Sequence, residues 1–148
     1  VVIGNNGNIN KCTGCFGCWI KTPGRCVIKD GYENMGELFS KAEKITIICK
    51  CTYGCYSPFI KNVLDRALSY FLPSFELINN ETHHKKRYAF PFRLFVYFYG
   101  ENISEDEKKT AESLVKSNSV NYNCRECRCF FVSDLKYISM DGSGGQQK

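Results

Sequence analysis

Ile45-Thr46-Ile47-Ile48-Cys49, running on through Lys50-Cys51-Thr52-Tyr53-Gly54-Cys55-Tyr56 to Ser57-Pro58, decides the fold. The first five residues are apolar or β-branched with little polar alternation. They read as a strand buried on both faces, the habit of parallel sheets. Ser57 before Pro58 is a strong helix start, with serine as the cap and proline at the first helical position. Beyond it Phe59, Ile60, Val63, Leu64, Ala67, Leu68 and Phe71 make one apolar stripe, and Lys61, Asn62, Asp65, Arg66 and Ser69 make the polar side. That period predicts a helix ending before Pro73. A buried strand, a short loop and an amphipathic helix are one unit of an α/β protein.

The flanking segments repeat the alternation. Upstream, Met35, Leu38, Phe39 and Ala42 have helical spacing, with Asn34 as a cap and Glu37 as its box-like partner. Val1–Ile3 reads as the end of a strand and Asn5–Asn8 as a turn. Downstream, Leu94–Tyr99 is dense in aromatic and branched residues and reads as a strand ended by Gly100. Ser104 with Glu107 makes a capping box for a helix from about Glu105 to Lys116, with Ala111, Leu114 and Val115 inward. Cys129–Val132 is the last clear strand, and Leu135–Met140 is a further candidate. Residues 74–91 have no clean period and read as an insertion or lid crossing the active end of the sheet. The tail 141–148 reads as disorder or a linker. We therefore expect one domain over 1–148. Its strands at 45–49, 94–99 and 129–132 should be parallel neighbours in that order, with helices on both faces and right-handed crossovers.

Composition narrows the function classes. Hydrophobic residues are 43% and aromatic residues 14% of 148, enough for a real core. No apolar run reaches the ~18 residues of a membrane span. The formal charge of +5, from 20 basic and 15 acidic residues, is mild. Basic residues are scattered apart from Lys85-Lys86-Arg87, so nucleic acid is not indicated. The ten cysteines are clustered in a chain with long helical and strand patterns, which points to metal in a reducing, cytoplasmic compartment rather than to a disulfide scaffold.

Four of those cysteines form the densest motif. Cys12, Cys15, Cys18 and Cys26 read C-x2-C-x2-C-x7-C. Thiols at steps of three can converge from a tight turn, and Pro23-Gly24 turns the chain back to deliver the fourth. Four thiolates suit an iron–sulfur cluster. They also suit a tetrahedral zinc, whose usual signal is two separated pairs, and reduced buried thiols with no metal remain a third reading. Trp19 beside Cys18 reads as a cover that excludes water. A second thiol group, Cys49, Cys51 and Cys55, and a third, Cys124, Cys127 and Cys129, are expected on opposite rims of the sheet. Asp65 and Arg66 read as a structural pair on their helix, and His83-His84 with Lys85, Lys86 and Arg87 as a solvated basic loop, the alternative being a receiver for the phosphates of a nicotinamide cofactor or for an acidic substrate.

In open α/β sheets ligands sit beyond the carboxyl ends of the strands. Two loops leave strands there. Lys50–Ser57 offers tyrosines, hydroxyls and a glycine ahead of a helix N-terminus, and Tyr99–Asn102 lies ahead of the capped helix. A planar, negatively charged cofactor such as a flavin would find its chemistry here. An ordinary aromatic-rich loop is the alternative.

These stretches together resemble the flavodoxin-like NADPH-dependent FMN reductase and iron–sulfur flavoprotein family. The resemblance is carried by Cys12-Thr13-Gly14-Cys15-Phe16-Gly17-Cys18-Trp19, Pro23-Gly24-Arg25-Cys26 up to Asp30, Thr52–Pro58, and Lys61-Asn62-Val63-Leu64-Asp65-Arg66. It runs from about Asn10 to Gly100, with Cys51 where the family has a proline. It implies a flavodoxin-like three-layer αβα sandwich around a parallel sheet. It implies FMN contacted by Thr52, Tyr53, Gly54, Cys55, Tyr56 and Ser57 and flanked by Tyr99, Gly100 and Glu101. It also implies a [4Fe–4S] cluster on Cys12, Cys15, Cys18 and Cys26, NAD(P)H as electron donor, a small-molecule or protein redox partner, and a homo-oligomer. The family opens with a strand and a phosphate loop that do not precede Val1 here. We therefore expect a fold incomplete at its N-terminus that binds FMN at micromolar strength or weaker. The function so implied is an FMN-dependent oxidoreductase or electron-transfer protein. The alternative is a non-enzymatic, thiol-rich metal-binding module that has lost flavin.

Overall fold

A computed structural model describes residues 1–138. In chain order the elements are α1 (Gly17–Ile20), α2 (Met35–Ser40), β1 (Lys44–Lys50), α3 (Pro58–Arg66), β2 (Phe71–Ile78), β3 (Glu81–Lys86), β4 (Arg93–Tyr99), α4 (Glu105–Asn121) and β5 (Glu126–Val132). Short 3₁₀ turns cover Ala67–Tyr70 and Leu135–Tyr137. The chain is mixed α/β and groups into two compact units, 1–42 with 58–91, and 43–57 with 92 onward.

The second unit holds a three-stranded parallel sheet in the order β1-β4-β5. The expected neighbours are therefore paired as expected, each strand starting a residue or more earlier than its apolar run suggests. Ile45 is level with Leu94 and Leu94 with Cys127; Ile47 with Val96 and Val96 with Cys129; Cys49 with Phe98 and Phe98 with Phe131. Side chains in register point to one face, so these three rows form one surface. Residues Leu94–Phe98 of the central strand are all buried, which explains their unbroken apolar run. α4 packs against β5 through the buried Ala111 and Val115, and the Cys127 thiol faces the Val115 carbonyl oxygen at 3.8 Å. Ser104 caps this helix. Its hydroxyl accepts from the Glu107 N–H while the Glu107 carboxylate accepts from the Ser104 N–H.

The first unit departs further from expectation. Val1–Ile3 forms no strand; the nearby chain is instead held by Tyr32, whose hydroxyl donates to the Gly4 carbonyl at 2.8 Å. α2 lacks the expected cap: Asn34 makes no side-chain cap bond, and Glu37 pairs with Lys41 instead. The α3 stripe is interrupted, because after Arg66 the chain tightens into the 3₁₀ turn. That turn packs closely on α2. Gly36 lies so near it that a Cβ there would stand 2.3 Å from Ser69 Oγ and 2.7 Å from the Tyr70 nitrogen. Segment 74–91 is no irregular lid. Most of it belongs to an antiparallel hairpin of β2 and β3, turned by Asn79 and Asn80 at φ of 53° and 65°. Two consecutive left-handed residues are the mark of a type I′ hairpin turn, and asparagine tolerates that conformation. Leu135–Tyr137 is a 3₁₀ turn rather than a strand; the rest of that candidate from Ser139, and the tail at 141–148, lie outside the described residues.

Candidate functional site

The cysteine loop is built within the first unit. Phe16 takes a left-handed conformation, φ 56°, and ends the loop's first half by starting α1. Trp19 stacks on Phe16 at 5.5 Å between ring centroids, and its indole N–H donates to the Phe71 carbonyl at 3.0 Å. Cys12 and Cys15 are exposed, and Cys18 and Cys26 are half-buried. Burial pushes the Cys18 thiol up, and the Cys26, Cys12 and Cys15 sulfurs add to that push, so the four lie within electrostatic reach of one another. The Gly17 N–H and the Thr13 hydroxyl pull the Cys15 thiol down.

Among the described residues no three His, Cys, Asp or Glu side chains are gathered tightly enough to hold a single metal ion. A tetrahedral zinc asks for four sulfurs at about 2.3 Å from one point. A four-iron cluster spreads its thiolates over the corners of a larger core. The donor set, four thiols on one short loop, fits such a cluster in kind.

The loop's strongest tie was missed from sequence. Arg66 does not pair with Asp65 on its own helix; Asp65 pairs with Lys61 instead. The Arg66 side chain turns inward and is only 1% exposed. Its guanidinium donates to both Asp30 oxygens, at 2.7 and 2.9 Å, to the Asn10 and Ile28 carbonyls at 3.0 and 2.9 Å, and to Cys26 Sγ at 3.2 Å. All five donors are used, as a buried arginine requires. The Arg66 guanidinium holds the Asp30 carboxyl well below the usual carboxylate range. A signal for this existed: Arg66 falls three residues after Val63 and just before Ala67, on the buried side of the helix rather than the wet one.

The second candidate lies in the other unit, at the carboxyl ends of the parallel strands. A cleft of about 760 Å³ is lined by Lys50 and Cys51 after β1, Tyr99, Gly100 and Glu101 after β4, and Ser133 and Asp134 after β5. Its size is that of a small-molecule site. The expected flanking loop, Tyr99, Gly100 and Glu101, does line it.

The expected ring-contacting residues are arranged differently. Thr52 and Cys55 close a tight turn by exchanging backbone bonds of 3.0 and 2.9 Å, with Tyr53 and Gly54 left-handed at its tip, φ 51° and 72°. A Cβ at Gly54 would stand 2.8 Å from the Glu107 carbonyl oxygen, so the turn rests directly on α4. Tyr53 points to solvent, 90% exposed. Tyr56 is buried; its ring lies against Phe98 at 5.5 Å and its hydroxyl accepts from the Asn118 amide at 3.2 Å. Ser57 is half-buried, and its N–H faces the Cys49 thiol. Of the two tyrosines, only Tyr53 has a free ring face.

The cleft carries Glu101, Glu107 and Asp134 against a single Lys50. That balance opposes a phosphate or any other anion.

The register keeps Cys124 and Cys127 at the amino end of β5 and Cys51 and Cys55 beyond the carboxyl end of β1, as expected, and departs from that separation at Cys129. Cys129 sits in mid-strand and shares a face with Cys49, two rungs away across β4. Burial pushes the Cys49 thiol up to about 11 and the Cys124 and Cys129 thiols up to about 12, with the neighbouring sulfurs adding to the effect. Burial thus favours the neutral thiol at all three positions. No family model matches the chain, and neither a curated protein nor a solved structure matches it.

Proposed function

We propose that this chain is a flavodoxin-like redox protein of αβα design that takes the ring of FMN and exchanges electrons with NAD(P)H or a redox partner. The cleft at the carboxyl ends of three adjacent parallel strands carries this reading, because that is where open α/β sheets bind ligands. Tyr99 and Gly100 would bound the ring, Lys50 would face its oxygens, and the exposed Tyr53 offers a stacking surface at the same end of β1. A bound flavin supplies hydride and single-electron chemistry, and the chain's part is to position the ring and exclude water. Cys12, Cys15, Cys18 and Cys26 would hold a [4Fe–4S] cluster. All ten cysteines are free, which supports a reducing, cytoplasmic setting, and no helix among the described residues is long and apolar enough to cross a membrane. We also propose a homo-oligomer, on the family resemblance alone.

The test is an absorption spectrum of protein purified without air, followed by flavin titration. We expect flavin bands and a broad iron–sulfur shoulder. We also expect riboflavin to bind about as tightly as FMN, because the cleft is acidic. FMN binding far tighter than riboflavin would show a phosphate site that the cleft lacks. A second reading is favoured by the same acidic lining: a thiol-rich metal-binding module without flavin. Iron or zinc with no flavin uptake would select it.

A further inference from the structure

Two side chains tie the cysteine loop to the rest of its unit: Trp19, through its single bond to the Phe71 carbonyl, and Arg66, through five. Arg66 bridges three separate points of the loop: Asn10 just before Cys12, Cys26 itself, and Ile28 with Asp30 just after it. A cation that is 1% exposed must be compensated, and the bidentate Asp30 contact does this. The planar fork fixes direction as well as distance, which a lysine ammonium cannot do. With Asp30 on two nitrogens and two carbonyls behind them, the Nε–H is left aimed at Cys26 Sγ, 3.2 Å away.

We propose that Arg66 is the positioning residue of the cysteine loop: it closes the loop before any metal arrives and places a cationic hydrogen bond on the fourth thiol. The second half of this inference rests on the cluster reading above; the first half does not. A hydrogen bond to ligand sulfur raises a cluster's reduction potential. Loss of Arg66 therefore lowers it. Pre-closure spares the loop the ordering that ligation would otherwise demand, so its loss also weakens retention of iron.

The test uses the full chain with Arg66→Met plus Asp30→Leu. Replacing a whole buried ion pair by apolar groups leaves no orphaned charge and is often close to neutral for stability. Amide exchange over residues 10–30 is measured in metal-free protein. Iron content and reduction potential are measured after anaerobic loading with ferrous iron and sulfide. We expect exchange across the loop to speed up at least tenfold, iron to be lost more readily, and the potential of retained cluster to fall. If the double variant fails to fold, Arg66→Lys is read by the same measurements, since it keeps the cation and loses the fork. Loop exchange, iron and potential all unchanged in a folded variant would overturn the proposal while leaving the cluster reading intact. Faster loop exchange in a protein that never takes up iron would uphold the clamp and sink the cluster. No iron and no change in exchange would end both.

Discussion

Gly36→Ala tests the packing of α2 on the 3₁₀ turn that follows α3. The added methyl would meet Ser69 Oγ at 2.3 Å, the Tyr70 nitrogen at 2.7 Å and the Ser69 carbonyl carbon at 2.9 Å. The hydroxyl can rotate aside, but the two backbone atoms cannot. In an unhindered helix the change would gain about 1 kcal/mol of propensity. Overpacking costs about 1–3 kcal/mol, and backbone contacts belong at the upper end. The expected net loss is about 2 kcal/mol, or roughly 4–8 °C in Tm for a chain of this size. Ser69 supplies the control. Its hydroxyl oxygen is fully buried and has no hydrogen-bond partner among the described residues. Ser69→Ala alone should be neutral or stabilising, since an unsatisfied buried hydroxyl costs about 1–3 kcal/mol. Combined with Gly36→Ala it should recover part of the loss, because the Tyr70 nitrogen remains in the way. Urea unfolding of the four proteins completes the cycle. Gly36→Ala at or above wild-type stability would refute the close approach, and a costly Ser69→Ala would show that the hydroxyl has a partner after all.

Other outcomes follow from single contacts. Because the folded pKa of Asp30 is depressed, its contribution to stability is present above the ordinary value of about 3.9 and is lost as pH falls through the folded one. Asp30→Asn should therefore flatten the acid limb of the stability curve below about pH 4, measured by denaturant midpoint against pH. Tyr53→Gly should stabilise by up to about 1 kcal/mol, since it removes a side chain from a left-handed position, and should weaken flavin binding. Unchanged flavin affinity would remove Tyr53 from the site. Tyr56→Phe should cost about 1–2 kcal/mol by stranding the Asn118 amide, read as a lower urea midpoint.

The parallel sheet was legible because its cause is local. Ile45–Cys49 and Leu94–Tyr99 are apolar without alternation, and Ser104 with Glu107 spells a helix start within four residues. The hairpin was hidden because β3 reads Glu-Thr-His-His-Lys-Lys, with no apolar face to declare a strand, although Asn79-Asn80 marked its turn. The end of α3 was hidden because the helical stripe continues through Phe71 while tertiary packing tightens the backbone after Arg66. At the candidate sites, the loop Tyr99–Glu101 and the cysteine run were visible as motifs. What escaped was the partner of Arg66, since a bond between positions 36 residues apart leaves no trace in spacing. The fate of Tyr56 escaped for the same reason: its neighbours Phe98 and Asn118 are brought together only by the sheet and α4.

The exposure of Cys12 and Cys15, against the burial of Cys49, decides how this protein ages. Oxidants attack thiolates, and they must reach them. Cys49, Cys124 and Cys129 are kept neutral by burial at ordinary pH, while Cys12 and Cys15 stand in solvent. Exposure to air or peroxide should therefore silence the loop while the sheet keeps its shape. Such a preparation would look intact by circular dichroism and melt normally, yet its loop thiols would no longer be free to act as ligands. Peptide mapping after brief peroxide treatment should find sulfinic acid at Cys12 and Cys15 well before Cys49 or Cys129. The opposite order would mean that the sheet opens more readily than the loop is reached.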